Sequence, residues 1–196
     1  RFLRHFFYNK TFGVKFMYII IDLDNIISDD SWRLKNIDWT KSDNLARYND
    51  YNLLSGFDMA GNEWLFQNND YEIVVLSSRP EFYAPITVQW LKSIDIEPIF
   101  LIMRETGDNS PPAKLKQKQL QSFYNVMRAT ADDVVGVYES DQQTIDMYID
   151  NGLKAYSVSI HSHGNKAFND TELTLKDRTS LGISPSASVE YIDFRK

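Results

Sequence analysis

Asp22 and Asp24 close the run Tyr18-Ile-Ile-Ile-Asp22-Leu-Asp24-Asn25 and are the residues of this chain best placed for chemistry. The apolar, β-branched run reads as a buried strand, and alternation along it sets two carboxylates spaced i, i+2 on the same side at its end. Two anions held that close repel unless a cation or a proton separates them. One carboxylate acting as nucleophile, the other as acid and base, with a divalent metal between them, meets that condition, and it is the chemistry of phosphoryl transfer. A strand running into an Asp-rich turn, with Asn25, Asp29 and Asp30 crowding the segment, accounts equally for the motif taken alone.

The elements that must position these acids follow from the apolar pattern. Residues 18–23, 73–76, 99–103, 134–138 and 155–160 read as strands, and the segments between them read as helices. The clearest helix opens after Pro111-Pro112 and carries Leu115, Leu120, Phe123 and Met127 on one face. Such alternation predicts an α/β fold, a Rossmann-like three-layer sandwich with a mostly parallel five-stranded sheet. Ligands of such sheets bind at the carboxyl ends of the strands, where Asp22 and Asp24 stand. The connection from Ser28 to about Gly61 is too long for a simple loop and is expected to form a small helical cap inserted after the first strand. Its rings, Trp32, Trp39, Tyr48 and Tyr51, either stack on a base or simply pack the cap.

The other strands end in polar groups as well. The second ends Leu76-Ser77-Ser78-Arg79-Pro80, a hydroxyl and an Arg where a phosphate could be held, although a Ser-rich turn with a surface Arg looks the same. The third runs into Glu105 to Pro112 and a helix bearing Lys114, Lys116 and Lys118, of which one lysine can neutralise a phosphoryl group while the others are solvated. The fourth ends Glu139-Ser140-Asp141, oxygen ligands for a hard cation or an acidic helix N-terminus favoured by the dipole.

In the order Asp-x-Asp, Ser-x-Arg, Lys and acidic pair, the segment from Met17 to Ser159 resembles the four motifs of the haloacid dehalogenase superfamily of phosphohydrolases. More narrowly, Leu76-Ser-Ser-Arg79-Pro80, Thr87-x-x-Trp90-Leu91, Met103-Arg104-x-x-Gly107-Asp108-x-x-Pro111 with Lys116 beyond, and Asp146-Met147-Tyr148-x-x-x-Gly152 are similar to the phosphatase domain of polynucleotide kinase-phosphatases and its stand-alone relatives. The resemblance implies Asp22 as a nucleophile that becomes aspartyl-phosphate and Asp24 as the acid that protonates the leaving oxygen and then activates water. It implies Lys116 as the catalytic lysine and Ser77, Ser78 and Arg79 as phosphate- or substrate-binding residues. It also implies Mg²⁺ held by Asp22, the Asp24 carbonyl and the motif Glu139, Ser140, Asp141. The chain departs from the family pattern at Asn25-Ile26, where Gly-Thr is usual, at Ser78, where Gly is usual, and at Glu139-Ser140, where paired Asp is usual.

Composition narrows the function. The 196 residues are 43% hydrophobic and 14% aromatic, enough for one compact domain over residues 17–160, flanked by a basic extension over 1–16 and a polar tail over 161–196. A net charge of -6 argues against a broad surface for duplex nucleic acid and leaves room for a small phosphorylated ligand or a strand end. Without cysteine there is no disulfide, thiolate nucleophile or Cys-based zinc site. No apolar stretch in the sequence is long enough to span a membrane, and a cytosolic location is the default expectation. The chain has no Gly-rich loop ending Gly-Lys-Ser/Thr, so 5' phosphorylation by that route is excluded. His161 and His163 read as exposed tail residues, and Val189 to Phe194 as an edge strand or mobile segment.

The expected function is a Mg²⁺-dependent phosphomonoesterase on a nucleotide-type substrate, foremost a polynucleotide 3'-phosphatase. The alternatives are a 5'- or 3'-nucleotidase on nucleoside monophosphates, and a binding module that keeps the fold but has lost its metal through Glu139-Ser140.

Overall fold

The computed structural model describes residues 16–63, 66 and 70–160. The expected N-terminal extension (Phe16 apart), the two tail histidines and the 189–194 alternation lie outside the described residues. Within them, the apolar runs pair into a single sheet: β1 (Tyr18–Ile21), β4 (Glu72–Pro80), β5 (Phe100–Arg104), β6 (Val134–Glu139) and β7 (Ala155–Ser157) lie in the order β5-β4-β1-β6-β7. All four pairings are parallel, with Ile20 opposite both Val74 and Val137.

β1 is central, so both of its faces must be covered, which is why its four residues are uniformly apolar and buried. On one face Ile19, Ile21 and Val75 meet Trp90 and Leu91 of α3 (Ala84–Ser93). On the other, Tyr18, Ile20 and Val74 meet Leu120 and Phe123 of α4 (Pro112–Met127), with Ile145 and Tyr148 of α5 (Gln142–Asp150). The result is the expected three-layer sandwich.

Three strands differ in extent by more than one residue from the sequence expectation, and the first of them, β1, stops at Ile21 instead of running on to Leu23. β4 continues through Pro80, with a register break between Leu76 and Pro80 that bends its end across β5. β7 stops at Ser157 because the chain then crosses the first loop, where the Ile160 amide donates to the Asn25 carbonyl and the Ile160 side chain packs on Gly61.

The segment between β1 and β4 starts with a tight turn in which the Leu23 carbonyl accepts from Ile26, Ile27 and Ser28. Asn25 takes a left-handed backbone here, φ 61°. Asparagine is the side chain that tolerates this region best after glycine, so Asn25 forms the turn where the resembled motif has Gly. A two-stranded antiparallel sheet, β2 (Ser28–Asp29) with β3 (Met59–Ala60), then encloses a 3-10 turn at Ser31–Asn36, short helices α1 (Asn44–Arg47) and α2 (Asn49–Leu53), and a 3-10 turn at Leu54–Phe57.

Candidate active site

The turn after β1, the bent end of β4, the first turns of α4 and the end of β6 converge at the carboxyl edge of the sheet. Asp22 prolongs the ladder by donating its amide to the Tyr138 carbonyl at 3.1 Å. Lys116, buried in α4, donates to Asp22 Oδ1 at 2.7 Å and to the Leu76 carbonyl, and lies 3.5 Å from Glu139 Oε2. One ammonium thus serves two carboxylates, one after β1 and one at the end of β6, and balances the charge of only one of them. Burial, together with repulsion from Glu139 and Asp24, pushes Asp22 up to about 7 against the pull of Lys116. Lys116 itself is held above its ordinary value: its carboxylate partners outweigh the burial that opposes its charge. Lys114 and Lys118 sit on the exposed face of α4, Lys118 bonded to Asp108 at 3.0 Å.

Asp24 faces a different set of partners. Its Oδ1 accepts from Arg79 Nη2 and from Arg33 Nη2, both at 2.6 Å. Burial disfavours its charge, but the two guanidiniums outweigh that and hold the carboxyl below its usual range. Behind them lies Asp58, whose carboxylate accepts from Arg33 Nε at 2.8 Å, Arg79 Nη2 at 3.2 Å, Trp32 Nε1 at 3.0 Å and the Ser28 hydroxyl. Arg33 and Asp58 come from the cap segment, and the sequence reading gave neither a role. The only local hint was an Arg between Trp32 and Leu34.

Ser77 is buried at the bend of β4, where its Oγ accepts from the Arg79 amide at 3.1 Å and its carbonyl from Gln119 at 2.9 Å. Ser78 is half-buried and gives its carbonyl to Arg104 at 3.1 Å. Arg79 Nη1 is buried without an acceptor among the described residues, the guanidinium lying 5.5 Å from the Trp90 ring.

The fourth strand end divides its residues. Glu139 Oε1 accepts from the Ser140 and Asp141 amides at 2.9 and 3.2 Å, which leaves Oε2 toward Lys116. Asp141 does not join them: its Oδ2 caps α5, accepting from the Thr144 amide at 2.9 Å and hydroxyl at 2.6 Å. Among the described residues no three carboxylate or imidazole side chains gather around one point. The oxygens that do converge, from Asp22 and Glu139, are hard donors, and their shared burial over a single ammonium is a charge deficit of the kind a divalent cation relieves.

Neither a protein-family model nor a curated protein sequence matches the chain. Solved structures do. A chain of the Pnkp1/Rnl/Hen1 RNA repair complex superposes with a TM-score of 0.55 at 17% identity, over 81% of this chain and 47% of that one. A Clostridium difficile protein assigned as a phosphatase gives 0.52 at 15% identity, over 74% and 88%. A haloacid dehalogenase-like hydrolase of Streptococcus pneumoniae gives 0.52 at 10% identity, over 73% and 84%. The chain spans about half the length of the repair-complex chains it matches, 47% and 48%. The protein therefore has the Rossmann-like α/β fold of haloacid dehalogenase-like hydrolases.

Proposed function

We propose that the protein is a phosphomonoesterase that acts through Asp22 on a nucleotide-type substrate, foremost a phosphorylated 3' nucleic-acid end. The observation that carries this reading is the Asp22-Lys116-Glu139 cluster at the carboxyl edge of the sheet, with Lys116 2.7 Å from Asp22. Lys116 holds one oxygen of Asp22 and the other attacks phosphorus; the ester P–O bond breaks, and the leaving oxygen takes a proton from Asp24. Water then attacks the aspartyl-phosphate, giving its proton to Asp24 and releasing inorganic phosphate. Asp22, Glu139 and the Asp24 carbonyl are the residues that would hold Mg²⁺. Bound there, it would supply Lewis-acid stabilisation of charge on the phosphoryl oxygens.

Ser77 and Arg79, delivered by the bend in β4, are the residues assigned to the phosphate. With both arginines on it, Asp24 is in the ionised form needed to activate water; to serve as acid it must first take up a proton from solvent, which an arginine turning from it to the substrate phosphate would allow. The strand-end substrate is supported by the likeness to a chain of an RNA repair complex and by the motif spacing around Arg79, Asp108 and Lys116. Inorganic phosphate release with Mg²⁺, from a 3'-phosphorylated oligonucleotide beside 5'- and 3'-nucleoside monophosphates, tests it with Asp22→Asn as blank. Preference for the oligonucleotide is expected. Preference for monomers would make it a nucleotidase, and no release above the blank would leave a binding module.

A further inference from the structure

The cap carries a line of rings and cations that starts at Arg33, bonded to Asp24, and ends in solvent. The Arg33 guanidinium lies 3.9 Å from the centre of the Tyr51 ring, Tyr51 meets Tyr48 edge-to-face at 6.0 Å, and Tyr48 meets Trp39 edge-to-face at 6.2 Å. Trp39 is 68% exposed. Arg47 stands over it at 5.7 Å. That guanidinium is fixed by the Lys41 carbonyl, at 2.9 and 2.7 Å, and by Asn44 Oδ1 at 3.3 Å. Its hydrogen-bond partners are neutral oxygens, so its charge is not paired with a carboxylate among the described residues.

The same short helix is anchored at the rim of the site. Asn44 donates to Asn109 Oδ1 at 2.6 Å, in the loop between β5 and the lysine helix. The segment bearing Trp39 and Arg47 is therefore joined to the loop that follows β5, at the carboxyl edge of the sheet where Asp22 stands.

A tryptophan needed only for packing buries its ring, yet this one leaves most of its surface in water with an unpaired cation fixed over it. An aromatic face beside a cation is the arrangement that binds a single-stranded polyanion, because each base offers a π-face and each linkage a negative charge. We infer that Trp39, backed by Arg47, is a stacking platform for an unpaired base next to the phosphorylated end, and that this makes the protein selective for single-stranded ends over base-free phosphate esters. The inference rests on the nucleotide-type reading of the Asp22 site.

The test compares a single-stranded 3'-phosphorylated hexanucleotide with the same strand lacking its last two bases. With wild type, KM for the base-free strand is about tenfold higher, and in Trp39→Ala the ratio collapses toward one, while Trp39→Phe restores most of it. An unchanged ratio in Trp39→Ala would overturn the platform. Fluorescence anisotropy of the labelled hexanucleotide with Asp22→Asn and with Asp22→Asn/Trp39→Ala gives a second, turnover-free readout, expected to show about a tenfold loss of affinity. Trp39-dependent binding without phosphate release would keep the platform and remove the phosphatase reading. Neither binding nor release would remove both.

Discussion

Asp58 stands behind Asp24, and the two carboxylates divide the same pair of guanidiniums, each accepting from both Arg33 and Arg79. Asp24 belongs to the turn after the central strand and Asp58 to the end of the cap, so the carboxylate proposed as acid and base shares its arginines with a residue from another part of the fold. Two fixed cations and two fixed anions make the group neutral overall, which lets it exist out of water.

Removing Asp58 breaks that balance. Asp58→Ala is expected to cost about 3–5 kcal/mol of stability, because two buried arginines lose a shared partner. Urea denaturation checks it. Asp58→Asn, which keeps the shape and part of the hydrogen bonding, is expected to lose less stability but to lower kcat more than it raises KM. Equal effects on kcat and KM would mean that Asp58 only supports the fold.

Lysine register provides a second test. Lys116→Ala removes the one ammonium between Asp22 and Glu139 and is expected to lower kcat by about a hundredfold or more, whereas Lys114→Ala on the exposed face leaves it nearly unchanged. Steady-state phosphate release by the two variants, with circular dichroism to verify folding, decides it.

The pH dependence follows from Asp22. Its carboxyl is pushed up to about 7 in the folded chain, above the ordinary carboxylate value that it recovers on unfolding, so the folded state holds the proton more tightly. Stability contributed by that proton is present at low pH and is lost as pH rises from about 4 to about 7. In metal-free protein, the melting temperature of Asp22→Asn should therefore gain on wild type across this window. Mg²⁺ should raise the melting temperature of wild type above pH 7 and not that of the variant. A constant gap across the window would contradict the assignment.

The fourth strand end gives a separable pair of variants. Asp141→Ala loses the cap of α5 and is expected to cost about 1 kcal/mol while leaving the Mg²⁺ concentration dependence of turnover unchanged. Glu139→Gln is expected to shift that dependence to higher Mg²⁺. Magnesium titrations of activity, set beside thermal melts, distinguish the two roles.

Much of this site was legible in the chain because its residues follow regular elements. Asp22 and Asp24 sit where an apolar run stops and Ser77 and Arg79 where another does, whereas Lys116 was separated from Lys114 and Lys118 only by the spacing after Gly107-Asp108 in the resembled motif, and the structure buries it on the face of Leu120 and Phe123. Asp141 shows the limit of such reading, since an acid two residues past a strand is as good a helix cap as a metal ligand, and the Thr144 hydroxyl three residues on takes it for the helix. Arg33 and Asp58 were invisible for a different reason. Both lie in short turns without periodicity, Asp58 between the exposed Phe57 and Met59, and they become buried only when the cap closes on β4. No local pattern encodes a contact made across that distance.

The Arg33 tie also bears on how the cap is held. A cap that swung away from the sheet would have to pull Arg33 from Asp24 and Asp58 from Arg79, yet it would keep Arg33 with Asp58 and leave Arg79 with Asp24, a balanced ion pair on each side of the gap. The seam is therefore cross-linked by charge without depending on it for neutrality: parting the two sides costs the hydrogen bonds across the seam but strands no lone ion, so the same four residues that hold the cap down also let it lift as an intact unit.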